Sequence, residues 1–315
     1  MKNIKIIEVP SEIGAGTRGA SLGTEAIKIA ALDFMSNFFV HFPSEKIETE
    51  NHLLFEPIHS PYAKRISGVL TMYERVSKSV KDSMKNNFFP VIISGDHSNA
   101  GGTIAGIKAA KPNSRLGVIW IDAHADLHTP YTTPSGNMHG MPLAASIGED
   151  NEESKVHEPD EKTKKQWDQL KSFGKMEPKV LAEDIVFIGL RDFEKEEKHL
   201  IDKYGMKVIT TNELRRKGPE NVVRAALRFL TECTDIYVSF DVDCLDSSIS
   251  KGTGTPVSNG LKEREAEDLI SKFMQNRKIC CFEITEVNPT LDKENLMAEI
   301  AFNILQRSVN VLMMN

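Results

Sequence analysis

The sequence predicts an α/β fold, with one mainly parallel sheet covered by helices on both faces in a three-layer αβα sandwich. Three observations predict it. The run 116–121 (LGVIWI) is apolar throughout and bounded by polar residues, as a strand buried on both faces would be. Short runs of this kind alternate with segments whose apolar residues recur at three- and four-residue spacing, a β-loop-helix-β rhythm that builds parallel sheets. Acids and histidines follow several of the strand runs, where open α/β sheets place their sites.

Composition narrows the classes. The chain has 315 residues, 40% hydrophobic and 27% charged, ordinary values for a globular protein. No repeat, low-complexity tract or linker divides it, so residues 1–315 read as one domain. A net charge of −6 lacks the basic balance expected of a nucleic-acid partner. No apolar run approaches the roughly 20 residues needed to span a bilayer. The start, MKNIKIIEVP, lacks a signal peptide's long apolar core. Cys233, Cys244, Cys280 and Cys281 have no framework spacing and read as reduced thiols, so the expected location is cytoplasmic.

In chain order, residues 4–8 form a first strand. Gly14-Ala15-Gly16-Thr17-Arg18-Gly19 fits the dinucleotide fingerprint literally, but that fingerprint needs a helix starting within the glycines. Here the helix is expected after Gly23, with Thr24 as N-cap, so the glycines form a loop near the site mouth. A nucleotide-binding α/β protein is the remote alternative. Helical spacing over 62–85 precedes a strand at 91–94, a turn at Gly101-Gly102 and a helix over 103–110. Residues 149–179 are highly charged and read as a surface insertion, a solvated flap in which Trp167, Leu170 and Phe173 could line one face of a short helix. Strands at 185–190, 208–210, 236–240 and 280–284 follow, with helices at 220–232 and 262–274 and at the C-terminus.

The chemistry gathers at three strand ends. Asp122, His124 and Asp126 alternate after the 116–121 strand, so in extended backbone they face the same way. Asp241 and Asp243 alternate after 236–240, and His97 follows 91–94. Acids packed this closely repel unless protons or cations intervene, and a metal favours ionised carboxylates with unprotonated imidazoles. Oxygen-rich donors with two histidines and no cysteine favour Mn(II), with Co(II) or Fe(II) fitting the same set.

With these residues in hand, the chain resembles the arginase (ureohydrolase) family. Ser94-Gly95-Asp96-His97-Ser98, Asp122-Ala-His124-Ala-Asp126, Ser135-Gly136-Asn137-Met138-His139-Gly140, Ser239-Phe240-Asp241-Val242-Asp243 and Glu286-Val287-Asn288-Pro289 occur in family order over nearly the whole chain. The resemblance implies the arginase/deacetylase-like sandwich and two Mn²⁺ per subunit. One would be held by His97, Asp122, Asp126 and Asp241, the other by Asp122, His124, Asp241 and Asp243, with Asp122 and Asp241 bridging. It implies hydrolysis of L-arginine to L-ornithine and urea by a metal-bridging hydroxide. Agmatine, formimidoylglutamate or another guanidino acid are the alternative substrates. Glu286 would bind the guanidinium, His139 would move protons, and Asp126 would serve the catalytic centre as well as the metal. Ser135, Asn137, His128 and Thr255 would meet the amino-acid end of the substrate, with Glu194 and Glu197 at its ammonium. His128 stands where many members have asparagine, Glu194 where they have aspartate, and Ser94 where they have glycine. Insertions like 149–179 occur in a bacterial subset, and many relatives are trimers or hexamers.

Overall fold

The computed structural model describes residues 2–314. Eight strands form one sheet: β1 (Asn3–Val9), β2 (Ser44–Lys46), β3 (Phe88–Ser94), β4 (Leu116–Ile121), β5 (Ile185–Ile188), β6 (Lys207–Ile209), β7 (Asp235–Asp241) and β8 (Ile279–Thr285). Their order is β2-β1-β3-β8-β7-β4-β5-β6, and every pairing is parallel. The four central strands, β3, β8, β7 and β4, are therefore neighbours, and their carboxyl ends open on one edge of the sheet. Those ends carry His97, Glu286, the Asp241 pair and the Asp122 motif.

Alternation along each strand divides the core into two apolar layers. Ile119 and Ile121 of β4 pack with the helices Gly23–Asp33, Pro219–Phe229, Glu263–Met274 and Leu296–Met314. Val118 and Trp120 face the helices Ile66–Lys85, Ala100–Ala110, Pro142–Ile147, Glu161–Lys171 and Lys195–Tyr204. Both faces are covered, so the strands carry apolar side chains in both directions. All four cysteines are buried and free. Among the described residues, no helix is long and apolar enough to cross a membrane.

Several expectations change. Thr24 is not the N-cap: the helix begins at Gly23, after Leu22, and Thr24 is buried in its first turn with its hydroxyl unpartnered. Gly101-Gly102 is not a turn, because both lie inside Ala100–Ala110. They are glycines because the Ile66–Lys85 helix passes so close. A Cβ on Gly101 would stand 1.8 Å from the Tyr73 hydroxyl. Close helix packing here outweighs the roughly 1 kcal/mol that glycine costs in a helix. The 62–85 helix starts at Ile66, and the 185–190 strand stops at Ile188.

The charged segment 149–179 is anchored rather than a solvated flap. Trp167 and Leu170 are fully buried in the layer that contains Trp120. The Trp167 indole N–H and the Lys171 ammonium both donate to the Asp150 carboxylate, each at 2.7 Å. Lys179 is buried too, with its ammonium donating to the carbonyls of Ala145, Leu170 and Lys171.

Candidate metal centre and substrate cleft

Two imidazole–carboxylate clusters share one acid. His97 Nδ1 lies 3.1 Å from Asp122 Oδ2, 3.1 Å from Asp126 Oδ2 and 3.3 Å from Asp241 Oδ2. His124 Nδ1 lies 2.9 Å from Asp243 Oδ2 and 3.6 Å from Asp122 Oδ1. Asp122 thus directs one oxygen to each cluster. Asp241 differs, since its Oδ1 accepts the Asp243 amide at 2.7 Å while Oδ2 faces His97. His97 is held from behind. Its ring stacks on Trp120 at 3.9 Å, and its Nε2 is 2.7 Å from the Ser239 hydroxyl.

The donor set fits divalent cations. His97 Nδ1 and Asp122 Oδ2 are buried and have no hydrogen-bond partner, although three carboxylate oxygens surround the nitrogen. The ring edge is aimed among the oxygens rather than along any one of them, as a coordinating nitrogen would be. Burial, then the neighbouring Asp122, raises the pKa of Asp126. The same two causes bring Asp243 to about 6. Charge this concentrated must be balanced by protons or cations. Nitrogen and oxygen donors without sulfur suit a hard to borderline ion.

Beside the clusters, His139 Nδ1 is 3.1 Å from Glu286 Oε1, which also accepts the His97 amide at 3.0 Å. Asp126 and Glu286 have φ of 50° and 66°, a left-handed conformation that costs a non-glycine residue energy and collects at functional sites. The Gly14 loop sits here as expected, its carbonyl accepting the His139 amide. Its amides are engaged by the chain's own acids: Gly14 donates to Asp96, and Gly19 and Ser21 donate to Glu12. Those three amides are therefore not free to cradle a phosphate.

From this floor a cleft of about 270 Å³ runs outward, lined by His97, His124, Asp126, His139, Asp241 and Asp243 at one end. At the other end it is lined by His128, Ser135, Asn137, Glu194, Glu197 and Thr255. Ser135 Oγ accepts the Asn137 amide, and Asn137 Oδ1 accepts from the Lys64 ammonium at 3.2 Å. That contact turns the Asn137 amide nitrogen away from Lys64, free to donate. Gly136 between them has φ of 75°, and a Cβ there would meet the Pro61 carbonyl at 1.8 Å. The Thr255 hydroxyl donates to Asp243 Oδ2 at 3.0 Å.

His128 has both ring nitrogens engaged within the protein. Nδ1 is 3.2 Å from Thr132 Oγ1, and Nε2 is 3.0 Å from Glu194 Oε2 and 3.6 Å from Glu197 Oε2. In this arrangement it braces the two glutamates instead of offering a free donor to a carboxylate. Glu194 and Glu197 also cap the Lys195–Tyr204 helix reciprocally. The His128 hydrogen bond lowers the Glu194 pKa to about 2, while burial raises that of Glu197 to about 8.

Of the six candidate ligands, His97, His124, Asp126, Asp241 and Asp243 line the cleft and Asp122 is buried between the two imidazoles; several neighbouring residues were not expected from the sequence. Thr133 and Asp192 line the same cavity, with Asp192 Oδ2 3.7 Å from His124 Nε2. The buried Asp96, whose Oδ1 accepts the Ser98 amide, ties the His97 turn to the Gly14 loop. The 149–179 segment also reaches the cleft wall. Tyr131 O accepts the amides of Val156 and His157, and His157 Nε2 donates to Thr133 O at 2.7 Å.

Known proteins are similar to this chain over nearly its whole length. The Arginase family model matches residues 2–309. The arginase of Brevibacillus brevis is 38% identical over 316 residues, covering 96% of each chain. The crystal structure of Bacillus subtilis arginase superposes with a TM-score of 0.80 at 33% identity, covering 98% of both chains. Entamoeba histolytica arginase, solved in complex with L-ornithine, gives a TM-score of 0.81 at 27% identity, covering 99% of both. The chain belongs to the arginase family, whose members are ureohydrolases acting on C–N bonds of linear amidines.

Proposed function

We propose that this protein hydrolyses L-arginine to L-ornithine and urea at a pair of divalent cations, Mn²⁺ being the ion that best suits the donors. The observation that carries the reading is the continuity of one cleft. It joins the two imidazole–carboxylate clusters to Ser135, Asn137, Glu194 and Glu197 at the opposite end. A guanidino group and an α-amino acid headgroup need that pairing of ends. The ornithine complex of the Entamoeba relative supports the same class of ligand.

One ion would be held by His97, Asp122, Asp126 and Asp241, the other by His124, Asp122, Asp243 and the shared side of Asp241. Divalent cations bound there would lower the pKa of water and supply the nucleophile at neutral pH. The protein's own groups do the remaining work. Glu286, buried beside His139, offers carboxylate oxygens that can neutralise the guanidinium and fix its plane. When the guanidinium takes up that carboxylate, His139 loses its acidic partner, and its pKa falls toward the range suited to proton transfer onto the leaving amine. Ser135 and Asn137 donate to the substrate carboxylate, and Glu194 and Glu197 receive its ammonium.

The test is urea release from arginine, agmatine and guanidinobutyrate by Mn²⁺-reconstituted protein. Arginine as the strongly preferred substrate is expected. A preference for agmatine, which lacks the carboxylate, or for guanidinobutyrate, which lacks the α-amino group, would overturn the substrate assignment.

A further inference from the structure

The charged segment 149–179 reaches the headgroup end of the cleft through His157, a side chain that the reaction itself does not use. His157 Nε2 donates to the Thr133 carbonyl at 2.7 Å. A carbonyl can only accept, so the imidazole carries its proton on that nitrogen. The ring also lies flat on Tyr62, with centroids 4.2 Å apart and planes 15° from parallel. Tyr62 follows Pro61, whose carbonyl lies against Gly136. The imidazole is thus wedged between two walls of the loop that carries Ser135 and Asn137. Its own backbone is held in place. The amides of Val156 and His157 both donate to the Tyr131 carbonyl at 2.9 Å. To one side of His157, the buried Asn151 donates its side-chain amide to the Glu196 carbonyl at 2.8 Å. To the other, Thr163 Oγ1 stands 3.0 Å from Ser60 Oγ.

Thr133 passes this contact on to the loop. It is buried, and its hydroxyl oxygen accepts the amides of Gly136 at 2.9 Å and Ser135 at 3.3 Å. One residue therefore takes His157 on its carbonyl and, with its side chain, closes the turn that presents Ser135 and Asn137 to the cleft. Every link from the imidazole to that turn is a hydrogen bond. Losing the imidazole N–H would untie the backbone just before Ser135 and let the donors of the turn spread over a wider range of positions. We propose that His157 is a positioning residue that sets the affinity of the cleft for the α-carboxylate of its substrate, by fixing Thr133 and through it the Ser135–Asn137 turn. The inference rests on the arginase reading of the cleft. The ring's contacts are to Thr133 and Tyr62 and not to the proposed metal ligands or Glu286, so it acts on binding and leaves the chemical step alone.

The experiment is ornithine formation from arginine by the full chain reconstituted with Mn²⁺, with agmatine added as a competitor. His157→Phe keeps a flat ring against Tyr62 and removes the donor. His157→Gln sets an amide N–H near the place of Nε2. Thr133→Val breaks the next link instead, by removing the oxygen that accepts the Gly136 and Ser135 amides. His157→Phe should raise the arginine KM about 3–10-fold with kcat nearly constant, the scale of one hydrogen bond lost equally from ground and transition states. Thr133→Val should shift KM in the same direction, and His157→Gln should recover most of the unmutated value. The inhibition constant of agmatine, which has no carboxylate to place, should stay unchanged in all three. Thermal unfolding verifies that each variant is folded. An unchanged arginine KM in either His157→Phe or Thr133→Val would overturn the proposal. So would an equal weakening of agmatine, the sign of a cleft loosened as a whole, or a His157→Gln no better than His157→Phe. Failure of the unmutated protein to form ornithine from arginine would overturn the arginase reading and this inference with it, and would be seen before any variant is made.

Discussion

His139 Nδ1 and Glu286 Oε1 stand 3.1 Å apart, an imidazole and a carboxylate held together beside the metal clusters. Burial alone would lower the pKa of His139, but the hydrogen bond and charge of Glu286 outweigh it and bring the value to about 9. The ordinary unfolded value is roughly 6.5. A raised pKa contributes stability that is complete below the unfolded value and is lost as pH rises through the folded one. Glu286 is shifted down, its burial outweighed by His139, so its contribution fades only in acid. In protein stripped of divalent cations, Glu286→Gln should therefore lower the melting temperature more at pH 6 than at pH 10. A difference in melting temperature that does not change with pH would refute the pairing.

Turnover should depend on the same imidazole. His139→Ala is expected to reduce kcat by about 10²–10⁴-fold, the range for losing a general acid–base group. Bound metal should be unchanged, because the His139 contacts are to Glu286 and the Gly14 carbonyl and not to the proposed ligands. Metal analysis alongside steady-state kinetics separates the two effects.

Asp122 directs Oδ2 to His97 and Oδ1 to His124, whereas Asp243 faces only His124. Asp122→Ala should consequently lose both ions, and Asp243→Ala should retain the one beside His97. Elemental analysis after gel filtration decides the matter. Two ions surviving in Asp122→Ala would show that this carboxylate does not bridge.

The strand ends were legible because period-two alternation places Asp122, His124 and Asp126 together whatever the rest of the chain does. The buried runs of β4 and β7 likewise announced a parallel sheet. Less visible were features decided by tertiary contact. Gly101 and Gly102 carry a turn signal, yet the passage of Tyr73 requires glycine within a helix. The short helix Phe38–His41 has no periodicity to read and is held by Phe38 edge-on to Phe302 at 5.8 Å. Trp167 sits in a charged tract whose composition suggested solvent, and only its bond to Asp150 and its burial show the anchor. Lys64 gave no signal at all, since its role depends on the approach of Asn137 across 73 positions of sequence.

Lys64 orients the Asn137 amide, so its loss should act on binding before chemistry. Lys64→Met keeps the aliphatic stem and removes the donor. It frees the amide to rotate and withdraws a positive charge from the carboxylate end. The arginine KM should rise about 2–10-fold with kcat nearly constant, from one hydrogen bond worth about 0.5–1.5 kcal/mol. A fall in kcat without a change in KM would place Lys64 in a different role.

Specificity follows from the far end of the cleft. Ser135 and Asn137 flank Gly136 on a loop fixed from three sides: by Lys64, by the Pro61 carbonyl and by His157 at Thr133. Ser135 is exposed and Asn137 half-buried, so water reaches both when the substrate lacks a carboxylate. Agmatine carries the guanidinium but no carboxylate, and forgoes two hydrogen bonds to a charged group, each worth about 1.5–3 kcal/mol. At 1.36 kcal/mol per tenfold, the loss of both predicts an arginine preference of roughly 10²-fold or more in kcat/KM. His128 modifies the other half of the headgroup site, because its Nε2 bond to Glu194 competes with the substrate ammonium for that acid. Glu197 is raised to about 8 and both its oxygens already accept backbone amides, so the ammonium is held weakly and the carboxylate contacts should dominate discrimination. Asn137→Ala should then raise the arginine KM more than it lowers kcat, and should leave agmatine kinetics nearly unchanged. Equal kcat/KM for the two substrates in the unmutated protein would remove the carboxylate loop from the account of specificity, while leaving the dimetal chemistry at the strand ends intact.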